Sequence, residues 1–263
     1  MLLILGQGYS GTFIARAART AGYEVLGVRR QSGEGLIAFD DPALPDVVAT
    51  ATHIVSAIPP DTAGADPVLD RFGAQLAQHD GWLGYLSSAG VYGDTGGAWV
   101  DESAAIGGGR RISRTDADLR WQALGAAIFR LPGIYGPGRS VLEQLHAGAA
   151  RRIDRPGHRR SRIHVEDVAG AVTAAANRRV TGIFNVTDEL PAEPRHVTEF
   201  ACRLLGAPLP PLVTPEHPSL SPTARAFWTE QRCLSGRRLG RETGYRLRHP
   251  DYKAGLRAIF EGR

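Results

Sequence analysis

Short apolar runs alternate with segments of helical periodicity through the first half of the chain. The run LLIL at residues 2–5 is typical of a buried strand, and the next segment repeats apolar residues at helical spacing as far as Ala21. Further strand-like runs occupy residues 23–28, 36–39, 53–58, 82–88 and 126–131. Helical periodicity is present at residues 70–78 and 110–124 between them. Strands that alternate with helices predict a doubly wound, Rossmann-like α/β fold, in which a parallel sheet carries helices on both faces.

The pattern changes after residue 138. It predicts a helix at residues 140–150, a hairpin-like segment at 151–165, a helix at 166–177, a strand at 182–188 and a helix at 197–206. We therefore divide the chain into a dinucleotide-binding, Rossmann-like portion at 1–138 and a C-terminal portion at 139–263. Within the second portion, about 162–188 is expected to return to the sheet, and the remainder to form a small substrate-binding subdomain.

The sequence GQGYSG directly follows the first strand and opens the first helix. It places Gly6, Gly8 and Gly11 at the G-x-G-x-x-G spacing, which permits a tight turn, close approach of backbone to a pyrophosphate, and close packing of helix on strand. The helix start adds backbone N–H groups and the positive end of the helix dipole. The predicted dinucleotide site also includes, from this turn and from the ends of two later strands, Tyr9, Ser10, Pro59 and Ser87.

The end of the second strand selects between the two nicotinamide cofactors. An acidic residue there would bind the ribose 2′-hydroxyl of NAD, whereas arginine suits the 2′-phosphate of NADP. Arg29 and Arg30 stand at that position, so NADP is predicted and NAD is the less favoured alternative. Asp40, at the end of the third strand, could accept a hydrogen bond from the adenine amino group, or could cap a helix beside Pro42.

Composition narrows the class of protein. The chain has 263 residues, 43% hydrophobic and 22% charged, which is typical of a globular protein with a sizeable core. Its apolar runs fall short of the roughly 18 residues that a membrane helix needs. The first residues lack the basic segment and long apolar core of a signal peptide, so we expect a cytoplasmic protein. Cys202 and Cys233 lie far apart without metal-ligand spacing, which predicts neither a disulfide nor a metal site.

The basic charge comes almost entirely from arginine. The net charge is +4, and of the 31 basic residues 30 are arginine and one, Lys253, is lysine. The arginines are spread along the chain without a basic run, so we predict no nucleic-acid partner. Any chemistry that requires a lysine amine must use Lys253, near the C-terminus.

Four motifs occur in a characteristic order: GQGYSG, YLSSAGVYG on the fifth predicted strand, RLPGIYGPG after the sixth, and RIHVEDVAGAV further on. Together they resemble the extended short-chain dehydrogenases/reductases, the group of the NAD(P)-dependent sugar epimerases and dehydratases, and among these the atypical members. The resemblance covers most of the chain. It implies an NAD(P)-binding enzyme in which Ser88 hydrogen-bonds the substrate oxygen, while a Tyr-x-x-x-Lys pair moves the proton and holds the nicotinamide ribose.

This chain lacks the Tyr-x-x-x-Lys pair. No tyrosine lies between Tyr92 and Tyr135, and the segment in question reads RRISRTDADLR. Four arginines of this region could supply positive charge or hold a ribose, namely Arg110, Arg111, Arg114 and Arg120. An arginine stays protonated, however, and cannot relay protons. The candidate proton donors are Tyr92, our first choice, Tyr135 and His164, whose ordinary pKa near 6.5 suits proton transfer. Tyr92 could equally be a packing residue and His164 a structural one.

Three arginines indicate where the substrate would bind. Arg139, Arg162 and Arg225 resemble positions near the substrate of sugar-nucleotide epimerases, so an anionic ligand would suit them. Phe227 and Trp228 could form a lid or belong to a core.

We predict an NADP-dependent atypical oxidoreductase or epimerase-like enzyme that acts on a carbonyl or hydroxyl group of a small, for example sugar-like, substrate. The alternative is a catalytically degenerate NAD(P)-binding sensor that acts through a protein partner. The sequence is compatible with a homo-oligomer and predicts no membrane partner.

Overall fold

The computed structural model describes residues 1–61, 63–110, 112–222, 225 and 228–262 of the chain. The strands are β1 Leu2–Leu5, β2 Val25–Arg29, β3 Leu36–Ala38, β4 His53–Ser56, β5 Trp82–Ser88, β6 Trp99–Val100, β7 Ala127–Leu131, β8 Gly133–Tyr135, β9 Arg152–Ile153, β10 Arg162–His164, β11 Gly182–Asn185, β12 Leu212–Val213 and β13 Cys233–Leu234. The helices are α1 Tyr9–Thr20, α2 Leu44–Thr50, α3 Pro67–Leu76, α4 Ile112–Ala123, α5 Val141–His146, α6 Val165–Arg178, α7 Pro194–Leu205, α8 Arg237–Thr243 and α9 Tyr252–Glu261. Among the described residues, no helix combines the length and the hydropathy needed to cross a membrane.

Seven parallel strands form the central sheet, in the order β11-β7-β5-β4-β1-β2-β3. The chain runs outward from β1 through β2 to β3 and then returns to β4 on the other side of β1. This reversal leaves a crevice at the carboxyl ends of β1 and β4, which is where open α/β sheets bind ligands. The predicted doubly wound fold is therefore confirmed.

Each face of the sheet carries its own core, because successive side chains of a strand point to opposite faces. Leu2 and Ile4 belong to the core beneath α1 and α6, whereas Leu3 and Leu5 belong to the core beneath α2, α3 and α4. All four side chains are fully buried. Because helices cover both faces of the sheet, these strands are continuous apolar runs in which polar residues do not alternate with apolar ones.

The C-terminal half contributes both to the sheet and to a separate layer. β11 is an edge strand beside β7, and α6 packs against α1. The helices α5, α7 and α9 form a third core that includes Leu142, Phe200 and Tyr252. The division of the chain at residue 138 stays a prediction.

The predicted hairpin at 151–165 is wrong. β9 pairs with β12, and β10 pairs with β8, in both cases in parallel. The sequence Pro156–Gly157 is a turn signal, but a turn of this kind serves a loop between two unrelated strands as well as a hairpin. Nor does the sequence pattern indicate α2, α8 or α9, because two of them have only seven residues and the third contains a glycine.

Candidate active site

The glycine turn has the geometry that its spacing predicts. Gly6 has a φ of +94°, a conformation that side-chain-bearing residues rarely adopt. A Cβ on Gly11 would lie 2.7 Å from the carbonyl oxygen of Gly6, so only glycine allows α1 to pack this closely on β1. A Cβ on Gly8, by contrast, would meet no atom within 4 Å. Gly8 therefore leaves open space at the start of α1, and the residues present fit a bound diphosphate.

The first turn of α1 contains no acidic residue, and Arg19 lies in its last turn. Nothing in the first turn therefore offsets the positive end of the helix dipole, whose leading N–H groups have no partner within the helix. Such an end favours an anionic group.

Arg29 ends β2 beside this turn. Its Nε donates a hydrogen bond of 2.5 Å to the carbonyl oxygen of Gln7, and its Nη2 lies 3.4 Å from the hydroxyl of Thr12. The guanidinium group is thus fixed next to the glycine turn, while Arg30 is exposed in the following loop.

Asp40 is exposed and does not cap a helix, so that reading of it is wrong. The neighbouring Asp41 accepts the hydrogen bond at this turn, from the backbone N–H of Ala43 at 2.8 Å. The adenine contact expected of Asp40 stays a prediction.

A cavity of about 570 Å³ extends from the glycine turn across the carboxyl edge of the sheet. Its near wall is formed by the glycine turn, with Tyr9 and Ser10, and by Pro59 after β4. Its middle is formed by Ser87 and Ser88 at the end of β5. Its far wall brings together residues from distant segments: Arg110, Arg160, Ser161, Glu230 and Arg232. Arg114 and Arg139 also line the cavity, the latter beside Tyr9.

Ser88 is one of the residues that line this cavity. Its hydroxyl oxygen accepts a hydrogen bond of 3.1 Å from the N–H of Gly90 and so caps a short 3-10 turn at Ala89–Tyr92. Accepting that bond leaves the hydroxyl hydrogen available to a substrate oxygen.

Ser87 is held from below by a buried ion pair. Its hydroxyl donates to Asp118 of α4, and Asp118 accepts two hydrogen bonds, of 2.9 and 3.1 Å, from the guanidinium of Arg130 on β7. The side chains of both members of the pair are at most 2% exposed. The pair fixes α4 against β5 and β7 beneath the cavity. Asp118 lies four residues after Arg114 on α4, but its ion pair is with Arg130.

Tyr92 faces away from the cavity. Its hydroxyl donates to the side-chain oxygen of Asn185 at 2.8 Å and accepts from Arg130 at 3.0 Å. The residue is 5% exposed and is not among the described residues that line the cavity. Burial raises the pKa of Tyr92. These contacts favour the packing role, and the assignment of Tyr92 as the proton donor stays a prediction.

His164 is also structural. Its Nδ1 accepts the N–H of Glu166 at 3.3 Å and caps α6, and its ring lies edge-on to Tyr135. Burial, with a contribution from the nearby His249, lowers the pKa of His164 to about 4. A histidine with this pKa is neutral at pH 7, and His164 is not among the described residues that line the cavity. Its catalytic role stays a prediction. Tyr135 packs against Gly255 with its pKa raised by burial and does not line the described cavity walls.

His164, Asp167 and His249 bring possible metal-ligating atoms within 4.8 Å of one another. Asp167 already accepts hydrogen bonds from the hydroxyl of Tyr245 and from the N–H groups of Arg248 and His249. Nδ1 of His164 is an acceptor, which puts the ring hydrogen on Nε2. The group is thus committed to joining α6 to the segment before α9.

The arginines predicted for the substrate side separate in the structure. Arg139 lines the cavity, with its guanidinium carbon 5.5 Å from the ring centre of Tyr9. Arg162 is half-buried beside Tyr252 and donates to the carbonyl of Ala192, and Arg225 is exposed and donates to the carbonyl of Leu220. Neither is among the described residues that line the cavity, and their contact with substrate stays a prediction.

Trp228 belongs to a small core and not to a lid. It packs with Ile153 and Val213 and is 7% exposed. Phe227 lies outside the described residues.

Sequence reasoning missed Arg160, Ser161, Glu230 and Arg232. Nothing in the local sequence distinguishes them, because each stands in a loop or at a strand end far along the chain from the glycine turn. Arg110 and Arg114 were named for their charge, and the structure places both on the cavity wall. Arg120 pairs instead with Asp70 on the surface.

Comparison with known proteins agrees with this architecture. A conserved protein of unknown function from Silicibacter pomeroyi is 37% identical, with a TM-score of 0.89 over 99% of this chain and 98% of that one. The human epimerase family protein SDR39U1 (isoform 2), solved with NADPH, has a TM-score of 0.78 over the whole of both chains at 19% identity, which shows the shared fold.

A curated relative at lower coverage is a 3-diazoavenalumate denitrifying reductase from a Streptomyces species. It is 28% identical over 160 residues, which is 56% of this chain and 51% of the reductase. The matched segment thus spans about half the length of that relative. No protein-family model matches the sequence.

This chain belongs to the same family as the Silicibacter pomeroyi protein. It shares its fold with proteins of the NAD(P)-dependent epimerase/dehydratase group. The comparisons do not favour the alternative of a degenerate sensor.

Proposed function

We propose that this protein is an NADP(H)-dependent oxidoreductase or epimerase-like enzyme that acts on a carbonyl or hydroxyl group of a small, anionic substrate. The observation that carries the proposal is the continuity of one cavity. It begins at the glycine turn, passes Ser88 at the end of β5, and ends among arginines.

The near end would hold the cofactor. Gly8 and the start of α1 would face the diphosphate, and Arg29, fixed beside them, would pair with a 2′-phosphate. Proteins of the same fold have been solved with NADPH and with NAD, so Arg29 carries this choice. When bound, a nicotinamide ring supplies or accepts a hydride. We expect Pro59 and Ser87, which line the path between the turn and Ser88, to contact the cofactor.

Ser88 would orient the substrate oxygen, and guanidinium groups would offset the negative charge that develops on it. Among the described residues lining the cavity, the ionisable side chains are Tyr9, Glu230 and five arginines. Burial raises the pKa of Tyr9 to about 12, and Glu230 is engaged by Arg110 and Arg232. None of these groups suits proton transfer at pH 7. Solvent is therefore the proton source in this proposal, and arginine replaces the tyrosine–lysine pair by charge stabilisation.

Cofactor preference tests the first part. We expect calorimetric titration to show NADPH binding about tenfold or more tightly than NADH, because a guanidinium–phosphate bond contributes roughly 1.5–3 kcal/mol. Arg29→Gln should remove that preference while leaving NADH affinity unchanged. A wild-type preference for NADH would contradict the assignment of Arg29.

Turnover tests the second part. Oxidation of NADPH should be detectable with small aldehydes and ketones that carry a phosphate or carboxylate group, and weaker with neutral analogues of the same size. Ser88→Ala should lower kcat by roughly 10²–10³-fold, the range seen when one oxyanion donor is removed. Ser103→Ala, at an exposed serine bonded to Asp101, is the matched control. Stoichiometric NADPH binding without turnover on any such compound would count against an enzyme.

A further inference from the structure

Arg139 lies beside the glycine turn, although the sequence resemblance implies a substrate contact for it. It lines the cavity together with Gly8, Tyr9 and Ser10 of that turn. Its guanidinium carbon is 5.5 Å from the ring centre of Tyr9. We propose that Arg139 binds the diphosphate of the cofactor, as a cation supplied from outside the glycine turn. The identity of the cofactor rests on the proposed function, but the binding of a diphosphate can be measured without it.

The backbone around Arg139 forms a tight turn at residues 136–139, between β8 and α5. Gly136 and Arg139 exchange two backbone hydrogen bonds, of 3.2 and 3.0 Å. Gly138 has a φ of +74°, a conformation that favours glycine. The next residue, Ser140, caps α5 with its hydroxyl. The backbone at position 139 is therefore fixed from both sides, and only the side chain remains to adjust to a ligand.

Tyr9 joins this turn to the start of α1. Its hydroxyl donates to the carbonyl oxygen of Pro137 at 3.1 Å, between residues 128 positions apart in the chain. A Cβ on Gly136 would lie 2.6 Å from that hydroxyl oxygen and 2.5 Å from Val165, so only glycine lets Tyr9 approach this closely. The hydrogen bond and the close packing hold Arg139 beside the glycine turn before any ligand binds.

The guanidinium group of Arg139 is available to an anion. Within the parts of the chain that the structure describes, the side chain forms no ion pair or hydrogen bond, and its contact is with the Tyr9 ring. An arginine side chain stays protonated and has five N–H donors. It can therefore donate two parallel hydrogen bonds to phosphate oxygens, the geometry in which arginine binds phosphate most strongly.

Two carboxylates also act on the hydroxyl of Tyr9, and each is held by partners of its own. Glu143 accepts a hydrogen bond of 2.7 Å from the backbone N–H of Ser140 in the capping box of α5. Glu166 pairs with Arg16 on α1 at 3.1 Å. Neither carboxylate is paired with the guanidinium at position 139, so that positive charge can act on a bound diphosphate.

A diphosphate contact has a consequence that separates Arg139 from Arg29. The diphosphate is common to NADPH and NADH, whereas the 2′-phosphate assigned to Arg29 is present in NADPH alone. Arg139 should therefore contribute equally to the binding of both cofactors, and also to the binding of ADP. Arg29 should contribute to the binding of NADPH alone.

Calorimetric titration of the full-length protein with NADPH, NADH and ADP tests the inference. Arg139→Gln should weaken the binding of all three by the same factor, roughly tenfold or more, the range for a charged hydrogen bond. The ratio of NADPH affinity to NADH affinity should stay at its wild-type value, whereas Arg29→Gln should change that ratio. Arg139→Lys should retain more affinity than Arg139→Gln, because the charge is kept.

Two controls separate a loss of binding from a loss of structure. Arg241→Gln, at an exposed arginine on α8, should bind all three ligands as tightly as the wild type. Since the Arg139 side chain is exposed, the melting temperature of ligand-free Arg139→Gln should equal that of the wild type.

Three results would overturn the inference. The first is unchanged affinity of Arg139→Gln for NADPH, NADH and ADP. The second is weaker binding of NADPH alone, which would place Arg139 at the 2′-phosphate. The third is a raised KM for an anionic carbonyl substrate at unchanged cofactor affinity, which is the result expected of a substrate contact.

Failure of the proposed function gives a different result. If the wild type binds ADP but neither NADPH nor NADH, the proposed function fails alone, and the ADP affinities of the wild type and Arg139→Gln still decide the role of Arg139. If Arg139→Gln turns over NADPH and binds all three ligands as tightly as the wild type, this inference fails alone. Binding of none of the three ligands to the wild type would overturn both.

Discussion

The two ends of the cavity are built in different ways. The near end is shaped by backbone, because Gly8 leaves room and Gly11 permits close packing within six consecutive residues. The far end is made of charged side chains that arrive from segments before α4, β10 and β13. Shape set by neighbouring residues suits a ligand part that is always the same, such as a diphosphate. Charges from separate loops can change independently of the fold, which suits a substrate that differs between relatives.

Between the two ends lies the Arg130–Asp118 pair, and breaking it should have the largest effect on stability. Arg130→Met leaves the carboxylate of Asp118 buried without its cation, for which the typical cost is about 3–5 kcal/mol of unfolding free energy. Urea denaturation measures it. Arg120→Met, on the helix α4 that carries Asp118, removes only exposed ion pairs with Asp70 and Asp116. It should cost no more than about 1 kcal/mol of unfolding free energy. If the two variants lose similar amounts of unfolding free energy, the buried pair contributes no more to stability than the exposed pairs do.

Lowering the pH should destabilise the fold through two buried histidines near the far end of the cavity and at the start of α6. His158 beside Arg160 and His164 at the start of α6 both have their pKa lowered to about 4, mainly by burial. Above pH 6.5 both histidines are neutral in the folded and in the unfolded chain, so they do not change the free energy of unfolding. As the pH falls below 6.5, the unfolded chain binds protons that the folded chain refuses until about pH 4, so stability falls.

The expected loss is about 2 kcal/mol per histidine between pH 7 and pH 5. His158→Asn and His164→Asn should each flatten that dependence, and asparagine retains a cap at position 164. Urea unfolding at the two pH values tests this. If the difference in stability between pH 7 and pH 5 is the same in both variants as in the wild type, the pKa directions of the two histidines are contradicted. The near end contains no histidine in its glycine turn and should contribute nothing.

Two alanine substitutions at the near end should separate binding from stability. Gly11→Ala forces a Cβ against the carbonyl oxygen of Gly6 and should destabilise the fold by roughly 1–3 kcal/mol. Gly8→Ala places its Cβ in open space, so thermal stability should be unchanged while NADPH affinity falls by about tenfold, or 1.4 kcal/mol. A drop in melting temperature for Gly8→Ala, or unchanged NADPH affinity, would argue against a diphosphate at this turn.

Much of the near end was predictable because its signals are local. The run Leu2–Leu5 has the observed strand bounds, and so does the run Trp82–Ser88. A strand is set by a few consecutive apolar residues, and the glycine spacing acts within one turn. The hairpin at 151–165 failed for the complementary reason. Both of its strands pair with partners outside the segment.

The sequence by itself determined the parallel sheet, the glycine turn, the arginine at the end of β2 and the absence of a Tyr-x-x-x-Lys pair. These depend on residue type and on short spacing. Only the tertiary structure decided that the Tyr92 hydroxyl bonds to Asn185, that burial lowers the pKa of His164, that Arg162 is half-buried, and that Arg110, Arg160 and Arg232 line one cavity. The physical reason is that burial and charge proximity arise from contacts between residues far apart in the chain.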